Sequence, residues 1–336
     1  GPGLHTSFQM TNNTQPIPAN VIGTMNEIRF KKIGLYLMYS FSRLNQLTGY
    51  QRKYFTSLNG RITWYGAIHS SIGFSRNYLT GGENISNYTW KESDAKKIVF
   101  EELLTSNLLS KEYTLGGHDL WDQTLSFYFN FILPQRQIKL YIETGFNDNR
   151  MYFADLLSQP DHSMATVIGI RDFGIKSINN FIWGFEWTNL MITYTSKFRP
   201  TGPGTWYNRV QYGYSTFADR RWGAHSGADS DDWFLYGGYL SDKLYVIPSF
   251  NYERHGIVSH RPAEVKVEYR LDIRFKKNNF WLGAYYERQF EAFLGFPDYF
   301  YVDKFEQPIN SANGILANSR HTNTLIFTIS SEINIK

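Results

Sequence analysis

The sequence contains no cysteine, which excludes disulfides and thiolate metal sites. It has no apolar run approaching the roughly 18 residues of a membrane-crossing helix. Charged residues make up 19% of the chain, below the roughly 25% of an ordinary soluble domain. Neither sign dominates: 34 Lys and Arg stand against 30 Asp and Glu. The two signs are interleaved, which is not the footprint of a nucleic-acid surface. Catalytic spacing is also missing, with no HExxH and no GxSxG. Of the 8 histidines, His118, His162, His225, His255, His260 and His321 fall in loops or at strand ends, and His255 and His260 read as a wet surface pair. The acidic pairs Glu101-Glu102 and Asp231-Asp232 are adjacent in sequence and cannot be presumed to flank a substrate. The expectation is therefore a protein without catalytic residues, metal or cofactor.

What the chain has is aromatic residues, 18% of the total with 24 Tyr and 26 Phe, and alternation. Over 264–275, Glu264, Lys266, Glu268, Arg270, Asp272 and Arg274 fall on one face. Val265, Val267, Tyr269, Leu271, Ile273 and Phe275 fall on the other. Period two marks a β-strand. A polar turn at 276–279 leads into a second strand over 280–290. A half-buried strand of a soluble sheet would also alternate, but here the pattern recurs along the whole chain. Strands are expected near 4–10, 22–30, 33–43, 61–66, 69–78, 121–132, 137–146, 163–172, 180–194, 233–240 and 243–253, then in the hairpin over 264–290, and finally at 321–335. Short turns alternate with long connections throughout, as periplasmic turns and extracellular loops do in outer-membrane barrels. The expected fold is an all-β, transmembrane, antiparallel up-and-down β-barrel with about 14 strands in this chain, forming a single domain over 1–336. Within the excursion at 82–117 the period changes, and 93–110 reads as a helical insert at the barrel mouth starting from a Ser93 or Asp94 cap.

Energetics assign the faces. A Lys or Arg turned to lipid near the midplane costs roughly 2–4 kcal/mol. The stripe Glu264, Lys266, Glu268, Arg270, Asp272 and Arg274 must therefore line the lumen, together with Lys139, Glu143 and Glu186. There it reads as an internal salt-bridge ladder rather than as a binding site. A spanning strand leaves no open edge in lipid, so the barrel must close. An export signal is required and none is visible, so the chain is expected to be part of a longer protein.

Several short motifs resemble the capsule-assembly Wzi family of outer-membrane proteins. They are Gly1-Pro2-Gly3 with a strand ending in Thr11-Asn12-Asn13, and Gly73-Phe74-Ser75-Arg76 followed by Gly81-Gly82. The hairpin over 122–148 with Leu140-Tyr141-Ile142-Glu143, Asp161-His162-Ser163, Glu186-Trp187-Thr188-Asn189 and Gln211-Tyr212-Gly213-Tyr214 complete the set. The resemblance implies a monomeric barrel of about 18 strands, plugged rather than open. It would act as a lectin-like tether for exported capsular polysaccharide or exopolysaccharide at the surface of a Gram-negative cell, embedded among the lipids and lipopolysaccharide of the outer membrane. An even number of strands and a helical portion would then precede this chain. The sequence departs from the family at Gly227-Ala228-Asp229-Ser230-Asp231-Asp232, so the ligand of that loop can differ.

The longest stretch without regular pattern, 198–232, carries the candidate sugar site. Trp206, Tyr212, Tyr214 and Trp222 supply aromatic faces for pyranose rings, and Arg209, Arg220, Arg221, His225, Asp229 and Asp231 supply polar groups. Guanidinium groups would favour an acidic polymer because they bind carboxylates bidentately. The same residues could instead form an aromatic girdle with a solvated rim. Two functions stay open at this point, a plugged polysaccharide-binding barrel and a porin or uptake channel. Large lumen-facing side chains (Tyr128, Tyr141, Trp281 and Tyr285) favour the first.

Overall fold

The computed structural model describes residues 5, 18–44, 53–81, 114–115, 118–119, 121–147, 157–173, 180–197, 206–207, 216–217, 220–221, 223–258, 263–293 and 319–331. The expected strand at 4–10 (His5 apart) and the insert at 93–110 lie outside them. The strands in chain order are β1 (Asn20–Gly23), β2 (Ile28–Phe30), β3 (Ile33–Leu44), β4 (Lys53–Tyr65), β5 (His69–Gly81), β6 (Thr114–Leu115), β7 (His118–Asp119), β8 (Trp121–Leu133) and β9 (Ile138–Asn147). They continue with β10 (Met164–Asp172), β11 (Phe181–Asn189), β12 (Thr216–Phe217), β13 (Arg220–Arg221), β14 (Ser230–Leu240), β15 (Leu244–His255), β16 (Glu264–Lys277), β17 (Phe280–Ala292) and β18 (Arg320–Ser331).

These form one 14-stranded sheet in the order β1-β3-β4-β5-β8-β9-β10-β11-β14-β15-β16-β17-β18, with β2 also paired to β3. The pairs β6–β7 and β12–β13 are separate ribbons in the long connections. The topology is the expected up-and-down meander. Among the described residues no pairing joins β18 to β1, so the sheet is not closed. No helix among them is long and apolar enough to cross a membrane. The chain divides into two compact units, one of Gly1–Phe131, Tyr141–Val167 and Leu190–Ala228, the other of Ile132–Leu140, Ile168–Asn189 and Asp229–Lys336.

Hairpin chemistry follows local rules. The connections at 31–32, 134–137 and 278–279 are tight, and Lys31 (φ 53), Gln137 (φ 55) and Asn278 (φ 54) take the left-handed conformation that such turns require. Several strands run further than their alternation suggests. β4 begins at Lys53 rather than near 61, because its first half, KYFTSLNG, mixes apolar and polar residues on both faces and carries no clean alternation. β11 stops at Asn189, and a single helical turn, Tyr194–Lys197, follows.

The expected strand over 22–30 is broken in two. Residues 24–27 bulge out between Gly23, which faces Met38, and Ile28, which faces Leu35. The Thr24 hydroxyl stands in for a ladder partner, accepting from Leu37 N–H at 3.0 Å. The bulge turns Glu27 to the inner face of the first unit. There Arg61 Nε and Nη2 donate to it at 3.2 and 3.0 Å, Thr63 donates at 2.7 Å, and the Tyr65 hydroxyl adds a fourth bond.

Burial separates the two faces of each unit. In the first, Leu35, Leu37, Ile62, Trp64, Phe129 and Phe131 are exposed, whereas Ser57, Thr63, Ser75, Ser126 and Asn130 are buried. In the second, Leu235, Tyr269, Ile273, Phe275, Leu282 and Tyr286 are exposed while Glu186, Asn251, Glu253 and Glu268 are buried. Apolar groups outside and polar groups inside invert a soluble core and suit a wall facing hydrocarbon. Inner-face packing is close: a Cβ at Gly73 would lie 2.2 Å from the Tyr128 ring.

Candidate functional site

In the first unit, the chain leaving β11 turns back over the inner face. Leu190 and Ile192 are buried, and the helical turn docks on the connection before β10. Thr195 Oγ1 donates to Asp161 at 2.6 Å, and Ser196 Oγ lies 3.0 Å from His162 Nδ1 and 2.8 Å from Thr193 Oγ1. A Ser–His contact invites comparison with a hydrolase. Ser196 is 0% exposed, however, so its oxygen reaches no substrate, and the contact serves to hold two connections together.

Further along, Trp206 and Tyr207 drive into the same region. They form a buried apolar cluster with Tyr141, Ala165, Val167, Leu190 and Ala224. Tyr141 belongs to the inner face of β9, and Ala165 and Val167 to that of β10. The Trp206 indole N–H donates to Ser163 O at 2.9 Å, and Ala224 N–H donates to the Tyr207 hydroxyl at 3.0 Å. Gly223 is required beside that hydroxyl, since a Cβ there would stand 2.1 Å from it. Tyr207 (φ 55) and Ser163 (φ 52) are both left-handed, at a cost of roughly 1–2 kcal/mol each. The surrounding packing has to offset that strain. Part of the long connection is thus folded inward, against the face that would line a lumen.

The predicted loop residues divide into three groups. Trp206 is 1% exposed and serves as an anchor in the cluster, with no face open to a sugar. Asp229 and Asp231, in the second unit, are also buried. Asp229 Oδ2 accepts from Val258 N–H at 2.8 Å, and its carbonyl accepts from Ile257 N–H at 3.2 Å. Asp231 receives Arg254 bidentately, Nε at 2.8 Å and Nη2 on the second oxygen. Arg220 and Arg221 lie on the β12–β13 ribbon, paired with Phe217 and Thr216, and His225 is half-buried with its ring edge-on to His5 at 4.4 Å. Arg209, Tyr212, Tyr214 and Trp222 lie outside the described residues.

The charged stripe of β16 forms the ladder its alternation suggests. Lys266 bridges Glu253 (3.7 Å) and Glu268 (2.9 Å), and Arg270 bridges Glu268 and Glu287 (2.7 Å each). Arg274 pairs with Asp272 at 2.7 Å. Asn251 donates to Glu253 at 2.7 Å, and His255 lies 3.1 Å from the same carboxylate. Glu264 and Lys139 are half-buried, and Glu143 and Glu186 are buried. Reading β16 alone misses Glu253 and Glu287, the ladder's outer rungs. The period-two faces of β15 (Ile247, Ser249, Asn251, Glu253) and β17 (Trp281, Tyr285, Glu287) carry the signal that finds them. Glu27, with its three partners Arg61, Thr63 and Tyr65, carried no such signal, because the bulge takes it out of the alternation.

No family model matches the sequence, and no curated protein matches it. In structure, the chain is similar to Wzi, an outer membrane protein involved in group 1 capsule assembly in Escherichia coli and a carbohydrate-binding β-barrel. The TM-score is 0.59 at 13% identity, over 86% of this chain and 60% of Wzi. The chain therefore spans about 60% of the length of the structure it matches, and at that identity the likeness is one of architecture. In fold, this chain is similar to the Wzi β-barrel.

Proposed function

We propose that this chain is part of a Gram-negative outer-membrane barrel that binds exported capsular polysaccharide or exopolysaccharide and helps retain it at the cell surface, without catalysing its synthesis. The observation that carries the reading is the inward-folded connection, with Trp206, Tyr207 and Ala224 packed on inner-face residues of β9 and β10. A channel keeps its connections off its inner wall or uses them only to narrow the path, whereas here a connection supplies a buried apolar core. With Trp206 buried in that cluster, and Asp229 and Asp231 bonded to Val258, Ile257 and Arg254 within the second unit, polymer contact falls to Arg220 and Arg221 on their ribbon, with Arg209, Tyr212, Tyr214, Trp222 and His225 nearby in sequence. Arginine guanidinium groups suit the carboxylates of an acidic polymer. The barrel acts as a monomer, with its long connections outside the cell.

Two measurements test this reading. In planar bilayers the protein is expected to give no steady ion conductance, and sustained open-channel current would replace the tether with a porin. Changing Arg220, Arg221 and Trp222 together to Ala is expected to reduce polymer retained on cells at least tenfold, since each lost charge-assisted or stacking contact is worth about 1–3 kcal/mol. Unchanged retention would remove the ribbon from the site.

A further inference from the structure

The outer register of β16–β18 is apolar over most of its length: Leu271, Ile273 and Phe275 on β16, Phe280, Leu282 and Ala284 on β17, and Leu325, Phe327 and Ile329 on β18. Lys277 ends it at the short turn, and one cation interrupts it at the other end. Arg288 continues the outer register of β17 and is exposed, with Tyr269 opposite it on β16 and Asn323 opposite it on β18. Arg254, the outer-register arginine of β15, is held bidentately by Asp231. Among the described residues no carboxylate pairs with Arg288. The ion pairs of the neighbouring carboxylates, Glu268, Glu287 and Glu291, go to Arg270, Lys266 and Arg320 instead.

Its depth is set by strand geometry. Arg288 lies about eight residues beyond Phe280, or ~27 Å along the strand. With the usual tilt this projects to ~20 Å above the short-turn edge of an apolar band ~25 Å tall. A guanidinium on its flexible stem reaches further outward, to the level of the lipid headgroups. The Tyr286 hydroxyl donates to Asn323 Oδ1 at 3.1 Å, which leaves the carboxamide N–H groups of Asn323 as donors beside Arg288. A charge turned to lipid persists where a headgroup answers it, and guanidinium with amide N–H donors is phosphate chemistry.

We propose that Arg288, with Asn323 and Tyr269, seats a phosphate group of an anionic lipid in the leaflet nearest the long connections. The inference rests on the membrane-spanning part of the proposed function and not on polysaccharide binding. The test is native mass spectrometry of the full chain in neutral detergent. The protein is titrated with diphosphoryl lipid A, with dilauroyl phosphatidylcholine, whose phosphate is internally neutralised, and with inorganic phosphate. Arg288→Gln is expected to weaken lipid A binding about fivefold, the contribution of one cation at an anionic surface. Arg288→Lys should be intermediate, and neither variant should alter binding of the other two probes. Raising NaCl should weaken lipid A binding to the wild type and leave Arg288→Gln nearly unchanged. Equal lipid A affinity in wild type and Arg288→Gln would overturn the seat, as would an equal loss for inorganic phosphate, which marks a general anion site. Failure of the wild-type protein to retain polymer on cells, with this result intact, would sink the lectin reading alone.

Discussion

Trp206→Ala is expected to cost about 3–5 kcal/mol of stability, the range for emptying a buried aromatic site, and to release the connection it anchors. The ring is 1% exposed, packs in the cluster with Tyr141, Val167 and Leu190, and donates its indole N–H to Ser163 O. Truncation removes the packing and the donor together and leaves a buried carbonyl without its partner. Trp206→Phe separates the two contributions: it keeps most of the volume and loses the hydrogen bond, for an expected cost of about 1–3 kcal/mol. Urea unfolding in detergent measures both. The Ala variant should also become cleavable within 198–228 under limited proteolysis and show ion current in bilayers, where none is expected of the wild type. Wild-type stability and silence in the Ala variant would mean that the connection is anchored elsewhere.

That prediction also marks where the sequence stops being informative. The meander, its face assignment and the alternation of short and long connections were legible because each follows from a local period. The rungs Lys266, Glu268, Arg270, Asp272 and Arg274 were legible for the same reason. Their partners were less so, because cross-strand register depends on turn geometry, and a slip of one residue exchanges the faces. Trp206 illustrates the harder limit. A tryptophan in a Gly-rich, Arg-rich stretch has the composition of a sugar platform. Whether it faces solvent or packs on Tyr141 and Val167 depends on the path of the chain between residues far apart in sequence. Asp229 and Asp231 behave alike: their charge suggested ligand contact, yet Val258 N–H and Arg254 take up their oxygens. The Glu27 bulge was hidden because residues 24–27 break the alternation that gives strands away.

The ladder on β15–β17 supports the second large prediction, and its charge count decides which rung matters most. Three carboxylates, Glu253, Glu268 and Glu287, share two cations, Lys266 and Arg270. The array is therefore already one anion in excess. Glu268→Gln brings it to balance and leaves Lys266 with Glu253 and Arg270 with Glu287, for an expected cost of about 1 kcal/mol. Arg270→Leu does the opposite, leaving Glu268 and Glu287 facing each other's charge on neighbouring strands. Removing one partner of a buried pair costs about 3–5 kcal/mol, and residual exposure of Arg270 (27%) and Glu287 (16%) reduces the expectation to about 2–4 kcal/mol. Adding Glu287→Gln to Arg270→Leu should recover part of the loss, with a coupling of about 1–2 kcal/mol in a double-mutant cycle read by urea unfolding. Should Glu268→Gln prove more damaging than Arg270→Leu, the ladder would be short of anions, and the face it lines would be more positive than these contacts make it.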